Sequence, residues 1–156
     1  VNKGYHGGQH RNPVNLLLAT TVYLPTSLAD YSTTSATFVD LDATLLAVTF
    51  VAPQSGKVLV QLCADAAAGG AGTYHQWNLR DSNGDIAGTG VRTTGNFGSS
   101  SEVGITRDIV VTGLTPGMTY TWKWGHRRDA GSGTPHTYAQ ASAGPGPASM
   151  KVFGIT

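Results

Sequence analysis

Residues 113–125 read GLTPGMTYTWKWG, and this stretch decides the fold. Leu114, Thr115, Pro116 and Gly117 make a turn, because Pro pre-sets its own φ and Gly accepts a positive one. Strict alternation follows. Tyr120, Trp122 and Trp124 leave the chain on one side, and Thr119, Thr121 and Lys123 on the other, since successive side chains of a strand point to opposite faces. Of the 3 Trp and 6 Tyr in the chain, two Trp and one Tyr fall within these five positions. No other window offers as much core surface. The stretch is read as a central strand of a β-sandwich with its three aromatics inside. Phe50 and Trp77, on strands of the same alternating pattern, join them as expected core.

The composition agrees. The chain has 156 residues, enough for one domain with a proper core and no disulfide staples. It carries 21 Gly and only 12% charged residues, against about 25% in ordinary soluble proteins. That is the composition of an all-β chain with many turns. A surface so poor in charge is expected to be partly covered by other subunits, because interface cores are depleted of charge. The formal net charge of +1 gives no basis for a nucleic-acid partner or an anionic membrane. The single Cys63 has no internal disulfide partner and lies in an apolar run, where a thiol behaves as a small buried hydrophobe. No run reaches the roughly 18 apolar residues of a membrane span, and residues 16–19 are too short for a secretory core. The expectation is a soluble protein made in a cytoplasm.

Strands recur at regular spacing from residue 36 onward, which points to a sandwich or barrel rather than βαβ units. Strands are expected at residues 36–41, 45–51, 57–64, 74–80, 86–93, 103–112, 118–125, 136–141 and 148–155. Residues 82–85 (SNGD) centre on Asn-Gly, the residue pair favoured in a type I′ hairpin turn. The last strand has apolar residues on both faces, Met150 and Val152 on one and Phe153 on the other. It therefore lies between two layers or faces a neighbouring subunit. The expected architecture is an antiparallel two-sheet β-sandwich of jelly-roll or Greek-key type, with about eight strands over residues 25–156 and no helix. Residues 1–24 are expected to be an N-terminal arm that binds a capsid or a neighbour. Residues 1–15 have no hydrophobic period and no acid, and residues 16–24 suit either a sandwich edge or pairing with another chain.

Sequence motifs for catalysis are missing: there is no G-x-S-x-G elbow, no H-E-x-x-H and no phosphate-binding loop. His75, His126 and His136 come from three strands and could meet as metal ligands, but nothing in their spacing requires it. Satisfied or exposed histidines explain them with fewer assumptions. Asp81, Asn83 and Asp85 resemble the start of a calcium loop but lack its later ligands, and the hairpin accounts for them. No catalytic residue, metal site or cofactor is assigned. The expected partner-binding residues are Lys3, Tyr5, His10 and Arg11 in the arm, and Arg127 and Arg128 at the start of an exposed loop.

Leu114-x-Pro116-Gly117-x-x-Tyr120 resembles the tyrosine corner of fibronectin type III and related sandwiches, in which the Tyr hydroxyl bonds back to the preceding turn. A broader resemblance spans about residues 35–152. The segments ATFVDLDATLLAVTFVAPQSGKVLVQL (36–62), WNLRD (77–81), GLTPGMTYTWKWGHR (113–127) and GPASMKVF (146–153) are similar to a domain of minor structural proteins, head-accessory or tail, of tailed actinobacteriophages. The resemblance implies a rigid β module displayed on a virion, often as a homotrimer, with no catalytic residues. It implies the major capsid protein or other virion proteins as partners. A short chain of this kind is expected to be a capsid decoration, or cement, protein. The runner-up is a tail-fibre tip that recognises a host-surface glycan through exposed aromatics and a pocket between residues 94–102 and 127–135.

Overall fold

A computed structural model describes residues 16–23, 25, 27–94, 103–139 and 147–156. Among these residues, twelve strands form two six-stranded sheets. They are β1 (Leu16–Val22), β2 (Ala29–Ser32), β3 (Val39–Asp40), β4 (Ala47–Val51), β5 (Val58–Ala67) and β6 (Tyr74–Asp81). β7 (Gly84–Asp85), β8 (Val91–Thr94), β9 (Val103–Val111), β10 (Thr119–Ala130), β11 (His136–Ala139) and β12 (Ser149–Gly154) complete them. The first sheet runs β1-β12-β5-β11-β2, with β9 on the other edge of β5. The second runs β3-β10-β6-β7, with β4 also on β10 and β8 also on β6. The strand pairings are antiparallel. The expected all-β, two-sheet antiparallel sandwich is what the chain forms.

The period-two pattern explains which side of each strand is buried. Val58, Val60, Leu62, Ala64 and Ala66 of β5 face inward, with Met150 and Val152 of β12 and Ile105 and Ile109 of β9 beside them. The second sheet answers with Val48 and Phe50, Trp77 and Leu79, and Trp122 and Trp124. Trp77 and Trp124 meet edge to face at 4.6 Å, and Phe50 and Trp122 do so at 4.8 Å. Such aromatic pairs add about 0.5–1.5 kcal/mol beyond their area burial. Trp77 Nε1 also donates to Thr137 Oγ1 at 3.0 Å, a polar tie between the two sheets.

The turn ahead of β10 forms as its residues require. Met118 N donates to Thr115 O at 3.2 Å, Pro116 takes the second position, and Gly117 supplies a φ of +77°. This is a type II turn, which needs a positive φ at its third position. Thr115 N then donates to Tyr120 Oη at 3.0 Å, so the tyrosine corner is closed. Tyr120 is half-buried and stacks on Phe50 at 5.9 Å. Of the expected core set, Phe50, Trp77, Trp122 and Trp124 are fully buried, and Tyr120 packs at the rim.

Several local expectations are corrected. Residues 29–32, where no strand was expected, form β2, which pairs with β11; its alternation, Ala29 and Tyr31 toward the core and Asp30 and Ser32 away, is only four residues long. The expected strand at 36–41 shrinks to two residues, and that at 86–93 begins only at Val91. The hairpin turn sits on Ser82 and Asn83, not on Asn83-Gly84, because Asp81 pairs with Gly84. Type I′ needs positive φ at both central residues, and no non-glycine residue described has one. Asp81 Oδ1 instead accepts from Asn83 N at 2.7 Å and fixes the turn from its first residue. Of the two readings of residues 16–24, Leu16–Val22 takes the sandwich edge: it is an edge strand of the first sheet, paired with β12 and bulged between Leu17 and Ala19.

Candidate functional site

Among the described residues, polar and charged side chains gather on the outward faces of the sheets and at one end of the core. Lys3, Tyr5, His10 and Arg11 lie outside the described residues.

Arg127 and Arg128 are not in an exposed loop, because β10 continues to Ala130. Both are half-buried. Arg127 Nε donates to Gln76 Oε1 at 2.8 Å and Nη2 to Asp129 Oδ1 at 3.0 Å, while its guanidinium lies 4.6 Å from the Phe38 ring centroid. Arg128 Nη1 donates to Gly133 O at 3.3 Å. The donors of Arg127 are largely spent within the chain, and it belongs to a network of charges on the outer face of the second sheet. Asp40 holds both Arg80 Nη1 at 2.6 Å and Lys123 Nζ at 3.1 Å, and Arg80 Nε also reaches Asp85 at 2.8 Å. Asp129 likewise joins Arg127 to Arg92. Lys123 and Arg80 sit directly opposite each other in register, so the shared Asp40 offsets a like-charge cross-strand pair. Gly125 makes room for this. A Cβ there would stand 2.4 Å from Arg80 Cδ, which crosses β10 at that point to reach Asp40.

Two of the three candidate histidines meet. His75 of β6 and His126 of β10 lie on the inner face, with His75 Nε2 3.3 Å from His126 Nδ1. One ring donates to the other. Both are buried, and among the described residues His75 Nδ1 has no hydrogen-bond partner. Burial, with the like charge of His126 and then His136, pushes the His75 pKa down to about 3. Burial and then His136 push that of His126 down to about 4. The pair is therefore neutral at pH 7. His136 belongs to the other sheet, where its Nδ1 lies 2.7 Å from Asp30 Oδ1. Among the described residues no three His, Cys, Asp or Glu side chains are grouped to hold a metal ion. The expectation of satisfied or exposed histidines is thus corrected at His75, which is buried with one nitrogen unpartnered.

An open groove of about 500 Å³ runs beside the first half of β10, where β6 has ended. Asp81, Asn83, Thr119, Tyr120, Thr121 and Lys123 line it. None of its lining residues belongs to either segment expected to frame a receptor pocket. Trp122 and Trp124 are 1% and 0% exposed, so the aromatic triplet does not form a sugar-stacking platform.

The outer face of the first sheet is different in kind. Register places Leu17, Phe153, Leu59 and Val110 in one row across β1, β12, β5 and β9. Leu17 and Val110 are 48% and 61% exposed. The next row reads Thr20, Lys151, Gln61 and Asp108. Phe153 was legible as an outward apolar residue; the row it belongs to needed the register of four strands.

No family model matches the chain, and no curated protein does. Solved structures similar to it include the infectious bursal disease virus VP2 subviral particle, at 7% identity and a TM-score of 0.48, covering 87% of this chain and 32% of that one. A second is the infectious bursal disease virus Gx strain, at 10% identity and a TM-score of 0.41, covering 100% and 41%. A third is the enzymatically active domain of tailspike protein 4 of bacteriophage CBA120, at 12% identity and a TM-score of 0.26, covering 99% and 21%. The chain spans about a third of the length of the first of these.

Proposed function

We propose that the chain is a virion structural accessory protein of a tailed phage, acting as a capsid decoration protein that binds the assembled shell and stabilises it. The observation that carries this reading is the distribution of the segments that resemble the actinobacteriophage structural domain. They contribute β3, β4 and β10 and part of β6 to the second sheet, and β12 and the first half of β5 to the first. The resemblance therefore draws on strands of both sheets and not on one local motif, and the closed tyrosine corner of Tyr120 is part of it. Its partners are the major capsid protein or other virion proteins, and its place is the particle surface.

The mechanism is mass action. A module that binds the assembled shell and not free subunits stabilises assembly by RT ln(1 + [L]/Kd), about 2.7 kcal/mol at a hundredfold excess over Kd. Residues 1–15 precede an edge strand, and fifteen extended residues reach up to about 50 Å, enough to clasp a neighbour. Co-sedimentation with assembled shells and with free shell subunits tests this. Binding to shells alone, weakened when residues 1–15 are removed, is the expected result. Retention on host cells or host glycans without shell binding would instead favour the tail-tip reading.

A further inference from the structure

We propose that the outer face of the first sheet is a two-fold interface with a second copy of this chain, its axis running along β5. This goes beyond the function proposed above and does not rest on it. The face carries an apolar row, Leu17, Phe153, Leu59 and Val110, bordered by Thr20, Lys151, Gln61 and Asp108. A contiguous apolar strip across four strands, bordered by polar residues, is the mark of an interaction surface. Its occupant follows from the charges. Lys151 on β12 and Asp108 on β9 flank the central strand, about 9.6 Å apart at two strand spacings. Among the described residues neither forms an ion pair, though Asp108 accepts from Gln61 Nε2 at 3.2 Å.

A two-fold rotation about an axis along β5 exchanges the positions of β12 and β9 while keeping the level along the strands. Lys151 then faces Asp108 of the second copy, and Asp108 faces its Lys151. Phe153 packs on Val110, and Leu59 and Gln61 each meet themselves on the axis. A two-fold axis across the strands through the charged row would instead set Lys151 on Lys151 and Asp108 on Asp108, a costly like-charge contact. The two rows are thus self-complementary in one orientation, as an isologous interface must be, while Asp65, farther out on the same side of β5, meets its own copy toward the end of the axis. Packed sheets stand about 10 Å apart with strands within about 30° of parallel, which the twist of each sheet permits.

Cys63 gives the native chain its own probe. It is the only cysteine, it lies on the outer side of β5 two residues beyond Gln61, and it is not fully buried. In the proposed dimer the two Cys63 side chains face each other near the axis. Sedimentation equilibrium of the full chain should give a dimer, and a short bismaleimide should link the two Cys63 thiols. Leu59→Asp should leave a folded monomer, its far-UV circular dichroism unchanged. Lys151→Asp should weaken the dimer at least tenfold, and adding Asp108→Lys in the same chain should restore it. This charge exchange lies on the surface and decides the matter even if Leu59→Asp does not fold. A monomeric or trimeric full chain overturns the proposal. So does a dimer indifferent to the charge exchange, or one lost on removing residues 1–15.

Discussion

The two outward faces of this sandwich have the same backbone geometry and opposite chemistry. On the second sheet, Asp40, Asp85 and Asp129 stitch Arg80, Lys123, Arg92 and Arg127 into a lattice over Gly125. On the first, Leu17, Phe153, Leu59 and Val110 run across four strands beside Lys151 and Asp108, neither of which forms an ion pair among the described residues. The second face meets its charges within the chain; the first keeps an apolar row beside two opposite charges that form no ion pair among the described residues. Composition alone suggested a covered surface, and the outer face of the first sheet is the candidate for it.

Acid should produce the largest change, and it acts beneath the charged face. His75 and His126 accept protons near pH 6.5 when unfolded but only near 3 and 4 when folded. Their contribution is complete above about pH 6.5 and is lost as pH falls toward those folded values, because the unfolded chain binds the protons first. Urea unfolding at pH 5 and 7.5 should differ by up to about 4 kcal/mol for the two rings, and His75→Phe should roughly halve that difference.

Leu59→Asp gives the first sheet a charge like those of the second. It should weaken self-association roughly 30-fold or more, as loss of a central interface residue does, with little change in the melting temperature of the monomer. Asp40→Ala breaks the comparison from the other side. It strands the half-buried Arg80 and Lys123 together and should cost roughly 1–2 kcal/mol in chemical denaturation, between the values for exposed and buried pairs. Arg92→Ala is the smallest. Arg92 is 58% exposed in its side chain, and the loss should stay under about 0.5 kcal/mol.

The architecture was readable where alternation was strong. The triplet Tyr120, Trp122 and Trp124 could face only one way, and the turn at Pro116–Gly117 fixed where the strand began. What escaped the sequence was set by partners across the ladder. β2 alternates over only four residues, Ala29 and Tyr31 inward, too short a run to stand out without its pairing to β11. Arg127 and Arg128 look like a loop ahead of Gly131-Ser132-Gly133, yet β6 carries β10 on past them, to Ala130 opposite Tyr74. His75 and His126 are 51 residues apart and become neighbours only through the β6–β10 register. The apolar row was half visible: Phe153 stood out because β12 is apolar on both sides, but Leu17, Leu59 and Val110 belong to three other strands.

The proposed function and the proposed interface meet their most direct test in a reconstruction of purified particles of a phage whose genome carries this chain. Paired sandwiches on the outside of the shell, joined through the outer faces of their first sheets, are the expected result. Absence of the chain from the shell surface would contradict the proposed function, and single or three-fold copies with that face bare would contradict the two-fold interface.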